Sequence, residues 1–380
     1  MRIDCFGGFG EKGRVCVGVH SHQTRILLDV GIKSAETGAS YYPQVPAEYL
    51  AKTDGIIVSH SHEDHLGAAG HCVELGFCGA FYMTAETAAE ATEALAEYAD
   101  PAQVTAFKGA TTHVISCGDP FTIGDLKITT GRSGHTVGGV WIAVDDGRTR
   151  IVHCGDVVPA SQVLAMDPLP ECDVLVIDAS YGDDEISPKK RGQMIQDWVE
   201  KSTTCVLPTP LIGRSLELLA LLEVQPAIHE TMRPALVTQL AAETWFQPGR
   251  ADQLAKRLNR CPDWHEKGAL PSSALLIDDG MGIGGPSKRV IPLAAAQNVP
   301  LLGTGHLPDG SPLQLLHANG QADWLRMPTH PTLAENNALI RQAKARIVLA
   351  HSGEYSSMPK LAASHSELNT KMYTGDSLTI

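Results

Sequence analysis

Hydrophobic positions in the first half of the chain fall into short, β-branched runs separated by turns and helical stretches. Val15-Cys16-Val17-Gly18-Val19, Arg25-Ile26-Leu27-Leu28-Asp29, Gly55-Ile56-Ile57-Val58, Leu126-Lys127-Ile128-Thr129, Val140-Trp141-Ile142-Ala143-Val144, Arg150-Ile151-Val152-His153 and Val174-Leu175-Val176-Ile177 each predict a strand. Several are apolar at successive positions, the pattern of a sheet covered on both faces. An Ala- and Glu-rich stretch from Thr87 to Tyr98 predicts a helix among them. The expectation is a layered α/β sandwich.

The texture changes near Asp183. Ser187-Pro188-Lys189-Lys190-Arg191 opens a helix-rich region with strand-like runs at Cys205-Val206-Leu207, Ala235-Leu236-Val237 and Ala274-Leu275-Leu276-Ile277. Alternating strands and helices predict a second α/β unit. A helix from Leu333 to Ala345 is then followed by the strand Arg346-Ile347-Val348-Leu349-Ala350, which ends at His351. That ending repeats the strand–histidine ends of the first half, so one domain split by an insertion fits better than two domains in succession.

Composition narrows the function. A length of 380 residues exceeds one small core, and 43% hydrophobic with 19% charged residues is ordinary for a globular protein. The formal net charge of -13 argues against gripping nucleic acid by bulk positive charge, while leaving room for a local basic groove. Nine cysteines lie scattered, none in a CxxC pair, which predicts reduced thiols and a cytoplasmic protein. The opening MRIDCFGGFG lacks a basic stretch followed by an apolar one, and no apolar run approaches ~18 residues. Neither a signal peptide nor a membrane span is expected.

The chemistry concentrates in SHSHEDHLGA, Ser59 to Ala68, where a predicted strand gives way to a helix. His60 and His62 are two apart on extended chain and point the same way. Asp64 and His65 sit where the chain turns and can aim elsewhere. One loop could thus offer two ligands to each of two cations, with Zn²⁺ suited to the donors and Mn²⁺ or Fe²⁺ as alternatives. Further strand-end histidines and acids, each beside glycine, occur at His135, at His153-Cys154-Gly155-Asp156 and at His351.

These segments resemble, in order, the motifs of the metallo-β-lactamase-fold hydrolases. LLDVG with Asp29, HSHEDH from His60 to His65, GHTVGG with His135 and CGDVV with Asp156 look like the first four. The second half is similar to the β-CASP nucleases, the family of ribonuclease J and the pre-mRNA 3'-end cleavage nuclease. IDASYGDD with Asp178, LPTPLIGRSLELLALL with Arg214, DDGMGIGGPSKRVI, LLGTGHLPDGSPLQLL, PTHPT with His330 and VLAHSGE with His351 carry that likeness. Asp178 stands where some members have glutamate, and Thr332 where many have an acid.

The resemblance implies a metallo-β-lactamase αββα sandwich with an inserted α/β β-CASP domain: residues 1–183, then the insert 184–325, then the closing part 326–380. It implies two Zn²⁺, with Mn²⁺ as a substitute, one held by His60, His62 and His135 and the other by Asp64, His65 and His351, with Asp156 bridging. Asp64 or Asp156 would take a proton from water. Asp178 and His330 would deliver one to the leaving oxygen, His330 because imidazole titrates near neutral pH. Asp29 would hydrogen-bond the ligand loop, and Arg214, Thr329 and Thr332 would contact substrate. The activity implied is hydrolysis of RNA or single-stranded DNA, endonucleolytic or exonucleolytic, by a metal-activated hydroxide, in a chain that could form a homodimer. The alternative is a small-molecule hydrolase of thioesters, lactones or lactams on the same fold, which needs neither the insert nor the Asp178–His330 pair.

Overall fold

The computed structural model describes every residue except 35, 203 and 267. The chain divides into two compact units. One comprises Met1–Pro159, Met166–Glu185 and His330–Ile380; the other comprises Ala160–Ala165 and Ile186–Thr329. The short stretch Ala160–Ala165, inside the range expected for the first domain, clusters with the second unit. None of the described helices is long and apolar enough to cross a membrane.

The first unit is built on two sheets. The seven-stranded sheet runs in the order Ser377–Thr379, Arg2–Gly7, Cys16–His20, Arg25–Leu28, Gly55–Ile57, Ala80–Thr84, Thr112–Ile115. The six-stranded sheet runs Ile347–His351, Val174–Asp178, Arg150–His153, Val140–Asp145, Leu126–Arg132, Phe121–Ile123. The last strand, Ile347–His351, pairs in parallel with Val174–Asp178, setting His351 opposite Asp178. The two-residue period of strands divides each sheet's side chains between two faces. Leu27, Ile56 and Phe81 join Leu66, Ala69 and Cys72 in one apolar cluster on the helical side of the first sheet. Val152, Leu175, Ile177 and Val348 join Leu339, Ile340 and Leu361 on the helical side of the second. The alternate residues Ile26, Leu28, Ile57, Ile151, Val174 and Val176 are also fully buried, filling the space between the sheets. Both faces are therefore covered, as the unbroken apolar runs predicted.

The second unit holds a four-stranded parallel sheet, Cys205–Pro208, Ala274–Ile277, Ala227–His229, Asp263–Trp264. Val206, Leu275 and Ile277 pack with Val290, Ile291 and Leu313. One predicted strand is corrected. Ala235-Leu236-Val237 lies inside the helix Arg233–Ala241, which Pro234 opens at its first turn. Proline's fixed φ suits that position. Leu236, Gln239 and Leu240 face inward at helical spacing, while Val237 is exposed. Three apolar residues in a row were too short a sample to separate the two periods.

Candidate metal centre

All the residues that the sequence marked as metal ligands lie in the first unit. The ligand loop begins where the strand Gly55–Ile57 ends and closes as a single helical turn, Glu63–Leu66. Short helices leave carbonyls without partners. Here those of Glu63, Asp64 and His65 accept the backbone N–H groups of Ile32 (2.9 Å), Val15 (2.8 Å) and Val30 (2.8 Å). The approach is so close that a Cβ on Gly31 would sit 1.6 Å from the Asp64 carbonyl oxygen. Only glycine fits there.

The loop brings three histidines together with one from the other sheet. His62 Nδ1 lies 3.1 Å from both His60 Nε2 and His135 Nε2. Asp156 Oδ2 stands 3.5 Å from His135 Nε2 and 3.9 Å from His60 Nε2. On its other side, Asp156 Oδ1 is 3.1 Å from His65 Nε2, and Asp64 Oδ2 is 3.9 Å from that same nitrogen. Donor atoms of His60, His62, His135 and Asp156 all fall within 4.8 Å of one another, as do those of Asp64, His65 and Asp156. Asp156 belongs to both groups. Gly155 precedes it because a Cβ there would meet Ser59 Cβ at 2.8 Å.

Chemically this donor set fits divalent cations. His65 Nε2 and Asp156 Oδ1 are buried, face each other and make no hydrogen bond. Burial opposes charge on His65, but Asp156, Asp29 and Asp64 together push its pKa well above that of an ordinary imidazole. The surroundings of that nitrogen favour positive charge, which a cation between the same groups would supply.

Asp29 supports the loop from behind. It follows the strand Arg25–Leu28 in a left-handed conformation (φ 60°) that aspartate tolerates better than most residues. Its carboxylate accepts from Ser59 N (2.7 Å), Ser59 Oγ (2.9 Å), His65 Nδ1 (2.8 Å) and His153 Nε2 (2.8 Å). Burial works against its charge, yet His65 and His153 hold the carboxyl well below the usual range. The sequence singled out the segment around His153 but gave that ring no task; its position two residues beyond Ile151, on the face between the sheets, was the available signal. A second support was missed altogether. Ser61, between His60 and His62, donates to Glu90 of the helix Ala85–Tyr98 at 2.8 Å, and burial pushes the Glu90 carboxyl up to about 7.

His330 and Asp178 meet across 152 residues of sequence. His330 Nδ1 lies 2.8 Å from Asp178 Oδ2 and 3.5 Å from Asp156 Oδ2. Asp178 Oδ1 accepts from Ser180 N (3.0 Å), and the Asp178 carbonyl accepts from Asn336 Nδ2 (2.9 Å). Burial disfavours the charged imidazole, but Asp178 and Asp156 outweigh it and raise the His330 pKa. The Tyr181 ring stands 5.0 Å from that of His330.

Other expected residues stand differently. His351 lies within 6.0 Å of His65, ring to ring, but both its nitrogens are engaged: Nε2 with Gly155 O (3.0 Å) and Nδ1 with Ser352 Oγ (2.9 Å). It joins none of the donor groups found among the described residues. Burial pushes its pKa down to about 3. Thr332 caps the helix Leu333–Ala343, its hydroxyl donating to Glu335 Oε2 at 2.6 Å in a capping box, so local structure engages the hydroxyl expected at substrate. Arg214 and Thr329 belong to the second unit, where Arg214 Nη2 donates to Thr329 Oγ1 at 3.4 Å.

Comparison with known proteins agrees with this architecture. The family described as beta-lactamase superfamily domain matches residues 24–227, more than half of the chain. Transcription termination factor FttA of Lokiarchaeum sp. is 29% identical over 339 residues, covering 77% of this chain and 53% of that protein. Endoribonuclease YSH1 of Mycosarcoma maydis is 23% identical, covering 96% of this chain and 48% of its own length. Cleavage and polyadenylation specificity factor 73 of Drosophila melanogaster is 24% identical, covering 60% and 37% respectively. The chain thus spans about half the length, or less, of these relatives. A crystal structure of a protein of unknown function from Enterococcus faecalis V583 superposes with a TM-score of 0.63 over 100% of this chain and 99% of that one, at 10% identity. With the family match, the two sheets and the ordered motifs in hand, the chain belongs to the β-lactamase superfamily, with the metallo-β-lactamase fold.

Proposed function

We propose that the chain is a metal-dependent phosphodiesterase that hydrolyses RNA or single-stranded DNA. The observation that carries this reading is the His330–Asp178 pair, an imidazole held by a buried carboxylate 3.5 Å from Asp156. A phosphodiester is anionic and its leaving alkoxide is poor, so hydrolysis needs neutralised charge and a proton for the departing oxygen. A small-molecule ester or lactam makes weaker demands on such a pair.

In this reading His60, His62 and His135 hold one cation and Asp64, His65 and His351 a second, with Asp156 shared; Zn²⁺ is the first candidate and Mn²⁺ the next. Cations held by these residues would supply charge neutralisation for a phosphate and a lowered pKa for water. His351 would exchange its hydrogen bond to Gly155 O for a place in the second set. Asp64 accepts the proton of the attacking water. Asp178 fixes Nδ1 of His330, which leaves Nε2 to give its proton to the leaving oxygen. Asp29 and His153 hold His65 in the matching orientation. Arg214, at the start of the helix Arg214–Leu221, and Thr329 are the substrate-binding residues in this reading. The endoribonuclease relative favours RNA over DNA. Action in the cytoplasm accords with nine cysteines that form no disulfide.

The test is incubation of the metal-loaded protein with end-labelled RNA and single-stranded DNA, with His65→Ala as control. Cleavage by the parent chain and its loss in the variant are expected. Rapid turnover of a thioester, lactone or lactam with neither polymer cut would overturn the reading in favour of a small-molecule hydrolase.

A further inference from the structure

The helix Ala85–Tyr98 begins at the same end of its sheet as the ligand loop. Its lead-in strand, Ala80–Thr84, pairs in parallel with Gly55–Ile57, and Tyr82 O accepts from Val58 N at 2.9 Å just before the loop. Thr84, which caps the helix, and Thr87 in its first turn hold the loop that carries His135. Thr84 Oγ1 donates to Gly138 O at 2.8 Å, Thr87 Oγ1 donates to the same carbonyl at 3.3 Å, and Thr84 Oγ1 accepts from Thr87 N at 3.3 Å. Both threonines are buried. The contact is so close that a Cβ on Gly138 (φ 86°) would stand 2.7 Å from Glu86 Cβ.

One turn further, the same helix reaches the other ligand loop. Glu90 Oε2 accepts from the buried Ser61 hydroxyl at 2.8 Å, and Ser61 lies between His60 and His62. Positions three apart on a helix share a face, so Thr87 and Glu90 point to the same side. A helix is stiff over two turns, rising about 1.5 Å per residue. It therefore holds Gly138 and Ser61 at a set separation. That separation carries over to the ligands beside them, where His135 Nε2 stands 3.1 Å from His62 Nδ1. In the sequence the stripe shows as TAETAAE, polar at every third residue from Thr84 to Glu90.

We propose that Glu90, acting through Ser61, is a positioning residue that sets the spacing of His60 and His62 against His135, and with it the affinity of the one cation these three histidines hold. This rests on the metal assignment in the reading above and adds which of the two cations the helix governs. The Ser61 contact anchors the chain between two ligands, so its loss lets both rings move relative to His135. His65 has a support of its own in Asp29, which His153 holds in turn.

The experiment measures Zn²⁺ affinity in the full chain by competition with a chromophoric chelator, in two backgrounds. His65→Ala keeps the His60, His62 and His135 set, and His135→Ala keeps the Asp64, His65 and His351 set. In the first background Glu90→Ala should weaken Zn²⁺ binding about 10-fold, the low end of the range for partners that orient a ligand. Glu90→Gln keeps an acceptor oxygen and should restore most of that loss. Ser61→Ala should match Glu90→Ala, and the double variant should be no weaker than either alone, because the two residues act as one contact. In the second background neither substitution should change the affinity. Unchanged affinity in the first background would overturn the assignment. Equal loss in both backgrounds would also overturn it, showing a contact that only stabilises the fold. If Glu90→Ala fails to fold, Ser61→Ala decides by the same comparison. If the parent chain binds Zn²⁺ and the Glu90 and Ser61 variants bind it as tightly, only the Glu90 assignment falls; if the parent binds no divalent cation, the metal-dependent reading falls with it.

Discussion

Asp29 ties together three residues that lie far apart in sequence, Ser59, His65 and His153, and each of those ties limits how the ligand loop can turn. Partners that orient a metal ligand typically contribute 10–100-fold in affinity. Asp29→Ala is therefore expected to weaken metal binding by about that factor, read by competition with a chromophoric chelator. Affinity equal to the parent's would mean that the loop holds its shape without the carboxylate. In the proposed reading His330 has a separate task. His330→Ala should slow polymer cleavage by about 10²–10⁴-fold, the usual range for a positioned proton donor, with bound metal unchanged. Metal loss in that variant, measured by elemental analysis, would show that His330 holds a cation instead.

Among the elements, the helix Arg214–Leu221 carries a charge problem of its own. Glu217 is nearly buried on it and accepts the Ser161 hydroxyl, and burial raises its carboxyl from 4.5 to about 7. The folded-state pKa is the higher one, so the neutral acid favours folding. That contribution is complete below pH 4.5 and is lost as pH rises through about 7. Glu217→Gln keeps an acceptor and removes the ionisation. It should stabilise the protein by about 1–3 kcal/mol at pH 8 and change little at pH 4, as followed by urea unfolding. An equal effect at both pH values would contradict the burial argument. The misread run at Ala235 belongs to the same scale. Local hydrophobicity marked an element there, but Pro234 and the inward spacing of Leu236, Gln239 and Leu240 made it a helix. Thr332 is a third case: its hydroxyl, two residues beyond His330, caps the helix Leu333–Ala343.

For the whole molecule, the proposed site joins strand ends of both sheets of the first unit, so a cation bound there links elements that are distant along the chain. A ligand that binds only the folded state stabilises it by about 2.7 kcal/mol at a hundredfold excess over Kd. Stripping metal with a chelator should lower the Tm, and adding Zn²⁺ should restore it; His65→Ala, which keeps the His60, His62 and His135 set, should show a smaller response. A Tm indifferent to metal in the parent chain would contradict a cation held between the two sheets.

The sequence by itself determined the layered α/β class and the donor-rich loop, because strand periodicity and the spacing of His60, His62, Asp64 and His65 are local codes. It also marked each further strand end bearing a histidine or an acid. Tertiary structure alone decided the pairings. His153 reaches Asp29 across 124 residues and His330 reaches Asp178 across 152, distances that only sheet order and loop closure can span. The same closure turned His351 toward Gly155 O and brought Glu90 to Ser61. Hydrogen-bond partners are fixed by what the packed backbone leaves within about 3 Å, and no run of neighbouring residues records that.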